Sequence, residues 1–329
     1  MTTFKEIRGT AIQVVSSDPS NPETGQIWYN SSSGTLKGYQ LANVNAWASG
    51  GNLGTARYYA AGSGTQTASL CVSGTTPVSY NIVESYNGTS WSAAPNLATA
   101  TFITSSIGTQ TANLVAGGYT GTANINTTQS YNGTSWSNLP ATINTARRAM
   151  GYSGSQTAAL IFGGQPPSPG NATSSESWNG TSWTNTPSLN TARRSIATSG
   201  QGTPTATLGF SGYSNTGVSA ATESWNGSSW TTVNSMNTAR HTAGGAGIQT
   251  AALAFGGNNA GVQSATESWN GTSWTNVPTG LATARDNVVG SGSQTLALAF
   301  SGSNGAGGAL SATEEWTGQA LLVKTITVS

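Results

Sequence analysis

The sequence predicts an all-β chain, a propeller of six four-stranded antiparallel sheets. Three observations predict it. A stretch recurs: "TSSESWNGTSWTNTPSLNTARRS" from residue 173, "ATESWNGSSWTTVNSMNTARHT" from 221 and "ATESWNGTSWTNVPTGLATARDN" from 265. The first aromatic of each copy falls at Tyr86, Tyr131, Trp178, Trp225, Trp269 and Trp316, a period of 44 to 47 residues. Short apolar runs are separated by Gly and Asn-Gly turns, which favours strands over helix.

Each unit divides into four short strands. The first follows a repeated Arg, as in "RRAMGYSG". A "GSQT" turn leads to an apolar second strand that ends in Gly, at Gly74, Gly118, Gly164, Gly212, Gly257 and Gly302. A loop of varied sequence leads to the third strand, such as "SESWNG", and a tight turn to the fourth, such as "TSWTN". Asn-Gly suits a two-residue type I′ hairpin, which needs positive φ at both central positions. That loop sets Trp225 opposite Ser228 and Glu223 opposite Trp230. Burying each aromatic removes roughly 150–250 Å² from water, about 4–6 kcal/mol gross as an upper bound. Asn87, Asn132, Asn179, Asn226 and Asn270 also begin N-x-Ser/Thr triplets, and we read them as turns rather than glycan acceptors.

The first unit is preceded by "NAWASGGNLGTAR" from residue 45, a fourth strand without its own first three. The last unit ends at Trp316 and lacks a fourth strand. The Trp47 strand therefore completes the sixth sheet and closes the ring, removing a sheet edge. Three segments follow: 1–44, an N-terminal β-hairpin and attachment segment; 45–317, the propeller; and 318–329, a C-terminal strand for pairing or oligomerisation. "ALLVKTITV" is left to pair elsewhere, with "TAIQVVSS" near the N-terminus as the expected partner.

Only 6% of residues are charged, against about 25% in ordinary domains. With a net charge of +1 and no basic block, nucleic-acid binding is not expected. No apolar run approaches the roughly 20 residues of a membrane span. The opening "MTTFKEIRGTAIQVVSS" has no apolar h-region, and we read no signal peptide. Cys71 is the sole cysteine and reads as a small buried hydrophobe.

Ten charges repeat with the units. The arginines are Arg57, Arg147, Arg193, Arg240 and Arg285, with Thr101 in the second unit. The glutamates are Glu84, Glu176, Glu223, Glu267 and Glu314, with Gln129 in the second unit. Both charges vanish from the same unit. Losing one partner of a buried pair costs about 3–5 kcal/mol, whereas losing both is close to neutral. The pattern predicts a structural Arg–Glu pair inside each unit rather than a ring of catalytic acids.

The residue after each Arg varies: Tyr58, Phe102, Arg148, Arg194, His241 and Asp286. These six are expected at the start of the innermost strand, ringing the central opening on the loop face as a ligand-binding site. The loops between second and third strands also vary, whereas the turns on the other face are uniform. Variable loops on a uniform scaffold read as a recognition surface.

Enzyme readings find little to work with. One histidine cannot supply a copper-oxidase ligand set, and no cofactor or metal site is expected. Glycoside hydrolysis needs two carboxyls flanking one bond. Asp286 and Glu315 are the unassigned acids within the repeats, at different motif positions.

An apolar strand ending in Gly-Gly ("LIFGG", "LAFGG"), then Glu-x-aromatic, then Trp and "TAR" resembles the kelch repeat, over residues 45–317. That resemblance implies a propeller of six or seven blades and little about chemistry. "NPETGQIWYNSSSGTLKGYQ", from residue 21, reads as a hairpin and resembles short segments of tail-fibre and other virion proteins of tailed bacteriophages. The expectation is a non-enzymatic virion adhesion protein, made in the host cytoplasm without a signal peptide. It would bind a host-surface glycan or protein through the loop face and other virion proteins through its terminal segments. It would be a homo-oligomer or multicopy component, without membrane insertion. A bacterial kelch-type lectin or scaffold is one alternative. A polysaccharide-degrading enzyme built on Asp286, His241, Arg148 and Arg194 is another.

Overall fold

The computed structural model describes residues 12–76 and 78–326. The leader reading of the N-terminal stretch falls largely outside them, as do the ends of "TAIQVVSS" and "ALLVKTITV". Among the described residues every regular element is a strand. The chain forms two compact units, Asn45–Thr317 and a smaller one of Met1–Val44 with Gly318–Ser329.

In the larger unit each repeat folds as an antiparallel sheet. The third is representative: Gly151–Gly154, Ala159–Phe162, Ser175–Trp178 and Trp183–Thr186 lie side by side in chain order. Burial along this series follows from position. All four residues of Ala159–Phe162 are buried, because neighbouring sheets cover both faces, so the strand is continuously apolar rather than alternating. The outermost strand buries only its Trp fully.

The sixth sheet runs Val289–Gly292, Leu296–Phe300, Thr313–Thr325 and then Thr35–Ser49, the strand that carries Trp47. Gly50 N–H donates to the Thr313 carbonyl at 2.9 Å, and Trp47 packs 5.4 Å from Trp316. Six apolar clusters each join two repeats. One of them sets Val289, Leu298 and Phe300 of the sixth repeat against Cys71 and Tyr86 of the first. The outer Trp of each repeat also reaches its neighbour. Trp183 Nε1 donates to Thr128 Oγ1 at 3.0 Å, Trp274 to Thr222 at 3.0 Å, and Trp91 to Thr313 at 2.9 Å.

Innermost strands are rich in small residues because they crowd one another. A Cβ added at Gly290 would lie 2.2 Å from the Gly245 carbonyl oxygen. One at Gly245 would lie 2.3 Å from that of Thr198.

The hairpin between third and fourth strands departs from expectation. Trp225 stands opposite Trp230, and Glu223 opposite Thr232, so four residues form the loop rather than two. The cause is the Asn side chain. Asn226 Oδ1 accepts the backbone N–H groups of Ser228 at 2.9 Å and Ser229 at 2.8 Å, an Asx turn that competes with the type I′ geometry. The two indoles then face each other directly, 5.4 Å apart.

In the smaller unit Ile27–Asn30 pairs antiparallel with Thr35–Ser49, Asn30 facing Thr35. Trp28 is fully buried and donates to Asp18 at 3.0 Å; Asn30 at 2.8 Å and Lys37 at 2.8 Å also donate to it. These donors, Lys37 foremost, hold the Asp18 carboxyl down to about 2. Among the described residues the expected pairing of "ALLVKTITV" with "TAIQVVSS" does not form. Gln13–Val15 pairs in parallel with Ile27–Asn30. The C-terminal strand instead follows Thr35–Ser49, with Ile326 N–H on the Leu36 carbonyl at 2.8 Å. Thr35–Ser49 thereby has a neighbour on each side, which leaves that strand no open edge.

Candidate ligand-binding site

The buried Arg–Glu pairs hold the loop that precedes each innermost strand. The pairs are Arg57–Glu84 at 2.5 Å, Arg147–Glu176 at 2.8 Å, Arg193–Glu223 at 2.9 Å, Arg240–Glu267 at 2.5 Å and Arg285–Glu314 at 2.8 Å. Each glutamate has a second task. Glu223 also accepts the backbone N–H groups of Asn190 at 2.6 Å and Thr191 at 3.3 Å. In the second repeat Gln129 Oε1 still accepts the Ala98 N–H at 3.2 Å, and Thr101 Oγ1 donates to the Tyr119 carbonyl at 3.2 Å. A neutral amide keeps the backbone contact while both charges are dispensed with.

The six variable residues sit one position beyond these anchors. They do not begin the innermost strands, as expected, but lie ahead of them, each bridged to the residue that follows the second strand's Gly. Tyr58 pairs with Thr75, Phe102 with Tyr119, Arg148 with Gln165, His241 with Asn258 and Asp286 with Ser303; Arg194 pairs with Tyr213. The reason is the backbone of the next residue. Tyr59, Ile103, Ala149, Ser195, Thr242 and Asn287 all hold φ between 50° and 57°, a left-handed conformation that is costly for Ile, Thr and Tyr. In return four of the six offer their amides to the repeat before: Ile103 to Tyr59, Ala149 to Ile103, Ser195 to Ala149 and Thr242 to Ser195, at 2.8–3.4 Å.

Above this collar lies a cleft of about 520 Å³, lined by Phe102, Tyr119, Arg148, Gln165, Arg194, Tyr213 and His241 together with collar residues. Phe102, Arg148, Arg194 and His241 thus come together. Tyr58 and Asp286 do not line it. Tyr58 packs on Tyr59 at 5.1 Å, and the Asp286 carboxylate accepts from Asn258 at 3.0 Å and Asn287 at 2.9 Å. Tyr119, Gln165 and Tyr213 were not anticipated. Their signal was present, because the position after the second strand's Gly is as varied as the one after the Arg.

The arginines are braced by aromatic faces. The Arg148 guanidinium lies 4.1 Å above Tyr119 and that of Arg194 4.8 Å above Tyr213. Arg148 donates from Nε and Nη2 to Gln165 Oε1 at 3.2 and 3.1 Å, and Arg194 from Nη1 to Asn171 Oδ1 at 3.2 Å. Tyr213 also meets His241 edge to face at 5.6 Å. Burial pushes the His241 imidazole below its ordinary pKa, with Asp286 opposing and Arg194 assisting. Beneath the collar, Tyr152 donates to the Gly62 carbonyl at 3.2 Å and Gln201 to that of Gly64 at 2.9 Å. Both contacts run from the third and fourth repeats to the first, and none of these four residues lines the cleft. Among the described residues no cluster of three or more His, Cys, Asp or Glu side chains could hold a metal ion.

No family model and no curated protein matches this chain. Among solved structures, that of YjhT is 11% identical, covers 80% of this chain and 95% of its own, and superposes with a TM-score of 0.69. Such low identity speaks to fold alone, and with the stacked four-stranded sheets it makes this chain a β-propeller.

Proposed function

We propose that this chain is a non-enzymatic adhesion protein, a six-bladed kelch-like ring that binds a host-surface glycan or protein through its loop face. The ring reading rests on the Trp47 strand beside the sixth repeat and on the Phe300–Cys71 cluster between sixth and first. The observation that carries the binding reading is the cleft itself. Its wall is made at the two positions where the repeats differ most, and it presents aromatic faces beside amide and guanidinium donors. Aromatic stacking with polar side contacts suits a sugar. The enzyme alternative is disfavoured by its acids. Asp286 is committed to two amides outside the cleft wall, and Glu315 to the Tyr86 hydroxyl.

The terminal hairpin's likeness to phage tail segments supports placement in a virion appendage, in many copies, with attachment through residues 1–44 and 318–329. Mass spectrometry of purified phage particles tests that placement, and finding no peptide of this chain in them refutes it. Glycan-array binding by the whole protein tests adhesion: we expect selective hits that Phe102→Ala weakens. Equal signal on every glycan, or hits unaffected by any change to the cleft wall, would overturn the loop-face reading.

A further inference from the structure

We infer that the ligand of this cleft is an anionic saccharide, its acidic group held by Arg148 and Arg194 together. The inference rests on the glycan-adhesion reading and narrows it. The two guanidiniums come from consecutive repeats and line one cleft with no Asp, Glu or Lys in its wall. Among the described residues neither has a carboxylate within ion-pair distance, whereas all five arginines of the repeated motif do. Their acceptors are neutral amide oxygens, Gln165 for Arg148 and Asn171 for Arg194. A guanidinium carries five N–H donors. The contacts with Gln165 leave Arg148 three of them, and the contact with Asn171 leaves Arg194 four.

Stacking adds a geometric point. The guanidinium carbons of Arg148 and Arg194 lie over the rings of Tyr119 and Tyr213, which restrains both groups, and the remaining N–H donors suit a fork-like acceptor. In a chain with 6% charged residues, two adjacent half-buried cations without acidic partners are a costly arrangement. An incoming anion offsets that cost. Phe102 and His241 complete a wall on which an apolar sugar face can rest. A uronic carboxylate and a sugar phosphate share the acceptor pattern required.

The test is isothermal titration of the intact protein with oligogalacturonate, with the same oligomer after carboxyl reduction, with galactose 1-phosphate and with a neutral galactan. The acidic oligomer should bind about 10- to 100-fold more tightly than its reduced form, the range for hydrogen bonds to a charged group. Arg148→Gln and Arg194→Gln should each remove most of that difference, Arg148→Lys less, and added NaCl should weaken the acidic ligand alone. Unchanged thermal melts confirm that these variants fold. Preference for galactose 1-phosphate identifies the phosphate source and supports the anion site; preference for the uronate identifies the carboxylate. Equal binding of acidic and reduced oligomers overturns the inference but leaves adhesion standing. Binding of neither acidic nor neutral probes overturns both.

Discussion

In the fourth repeat the double change Arg193→Thr with Glu223→Gln should be less damaging than either single change. Arg193 is fully buried and donates to the carbonyls of Ser211 and Ala221, both at 2.7 Å, as well as to Glu223. Arg193→Thr leaves the Glu223 carboxylate buried with two backbone N–H groups alone, at a cost of about 3–5 kcal/mol. Glu223→Gln leaves a buried guanidinium facing neutral acceptors, at a similar cost. The double change copies the second repeat, where Thr101 and Gln129 are themselves buried. It keeps an acceptor for the Asn190 and Thr191 amides. The cavity left by the shortened side chain is common to the Arg193 single and the double variant, so a double-mutant cycle cancels it. We expect a coupling that exceeds the cost of either single change, so more than about 3–5 kcal/mol. At about 2 °C per kcal/mol for a large domain, each single variant should lower Tm by about 6–10 °C and the double by less. Urea unfolding and calorimetry read both quantities. If the double loss equals the sum of the singles within about 0.5 kcal/mol, the ion pair is not the unit of exchange and the reasoning fails.

Three further outcomes are expected. The folded His241 pKa lies below the ordinary 6.5; the unfolded chain therefore binds more protons just below pH 6.5, and stability should fall as pH drops through that window. His241→Gln should flatten that slope, and an unchanged pH profile in the variant would assign it elsewhere. Burial pushes the Cys71 thiol up to about 11, so a thiol reagent should label it only on unfolding; fast labelling of native protein would contradict its place in the sixth-to-first junction. Gly290→Ala should destabilise by more than about 2 kcal/mol, because its Cβ meets the Gly245 backbone rather than a movable side chain; a neutral variant would mean that the innermost strands are not in close contact.

The strands were legible because every repeat restates them, so one ambiguous run could be judged against five others. The Arg–Glu contact was legible for a different reason: the second repeat drops both charges at once, an internal experiment within one chain. The hairpin register was not. Asn-Gly points to two loop geometries, and the choice depends on whether Asn Oδ1 finds the amides two and three residues ahead, which composition does not reveal. For the cleft, the residues after Arg were visible as a varied column. Their partners Tyr119, Gln165 and Tyr213 were hidden inside loops read whole. Only the bridge across each loop base sets Arg148 beside Gln165 and Arg194 beside Tyr213.

The strand that carries Trp47 also sets a timetable. Its partner begins at Thr313, so a ribosome makes one edge of the sixth sheet more than two hundred and fifty residues before the other. At about 5–20 residues per second that interval is on the order of 10–50 s. Throughout it, the Trp47 end of the early strand must wait without its partner and with its indole uncovered. Five sheets can assemble during synthesis, but the sixth forms only afterwards. A nascent chain stalled before Thr313 would present an open edge to any neighbour on the same message.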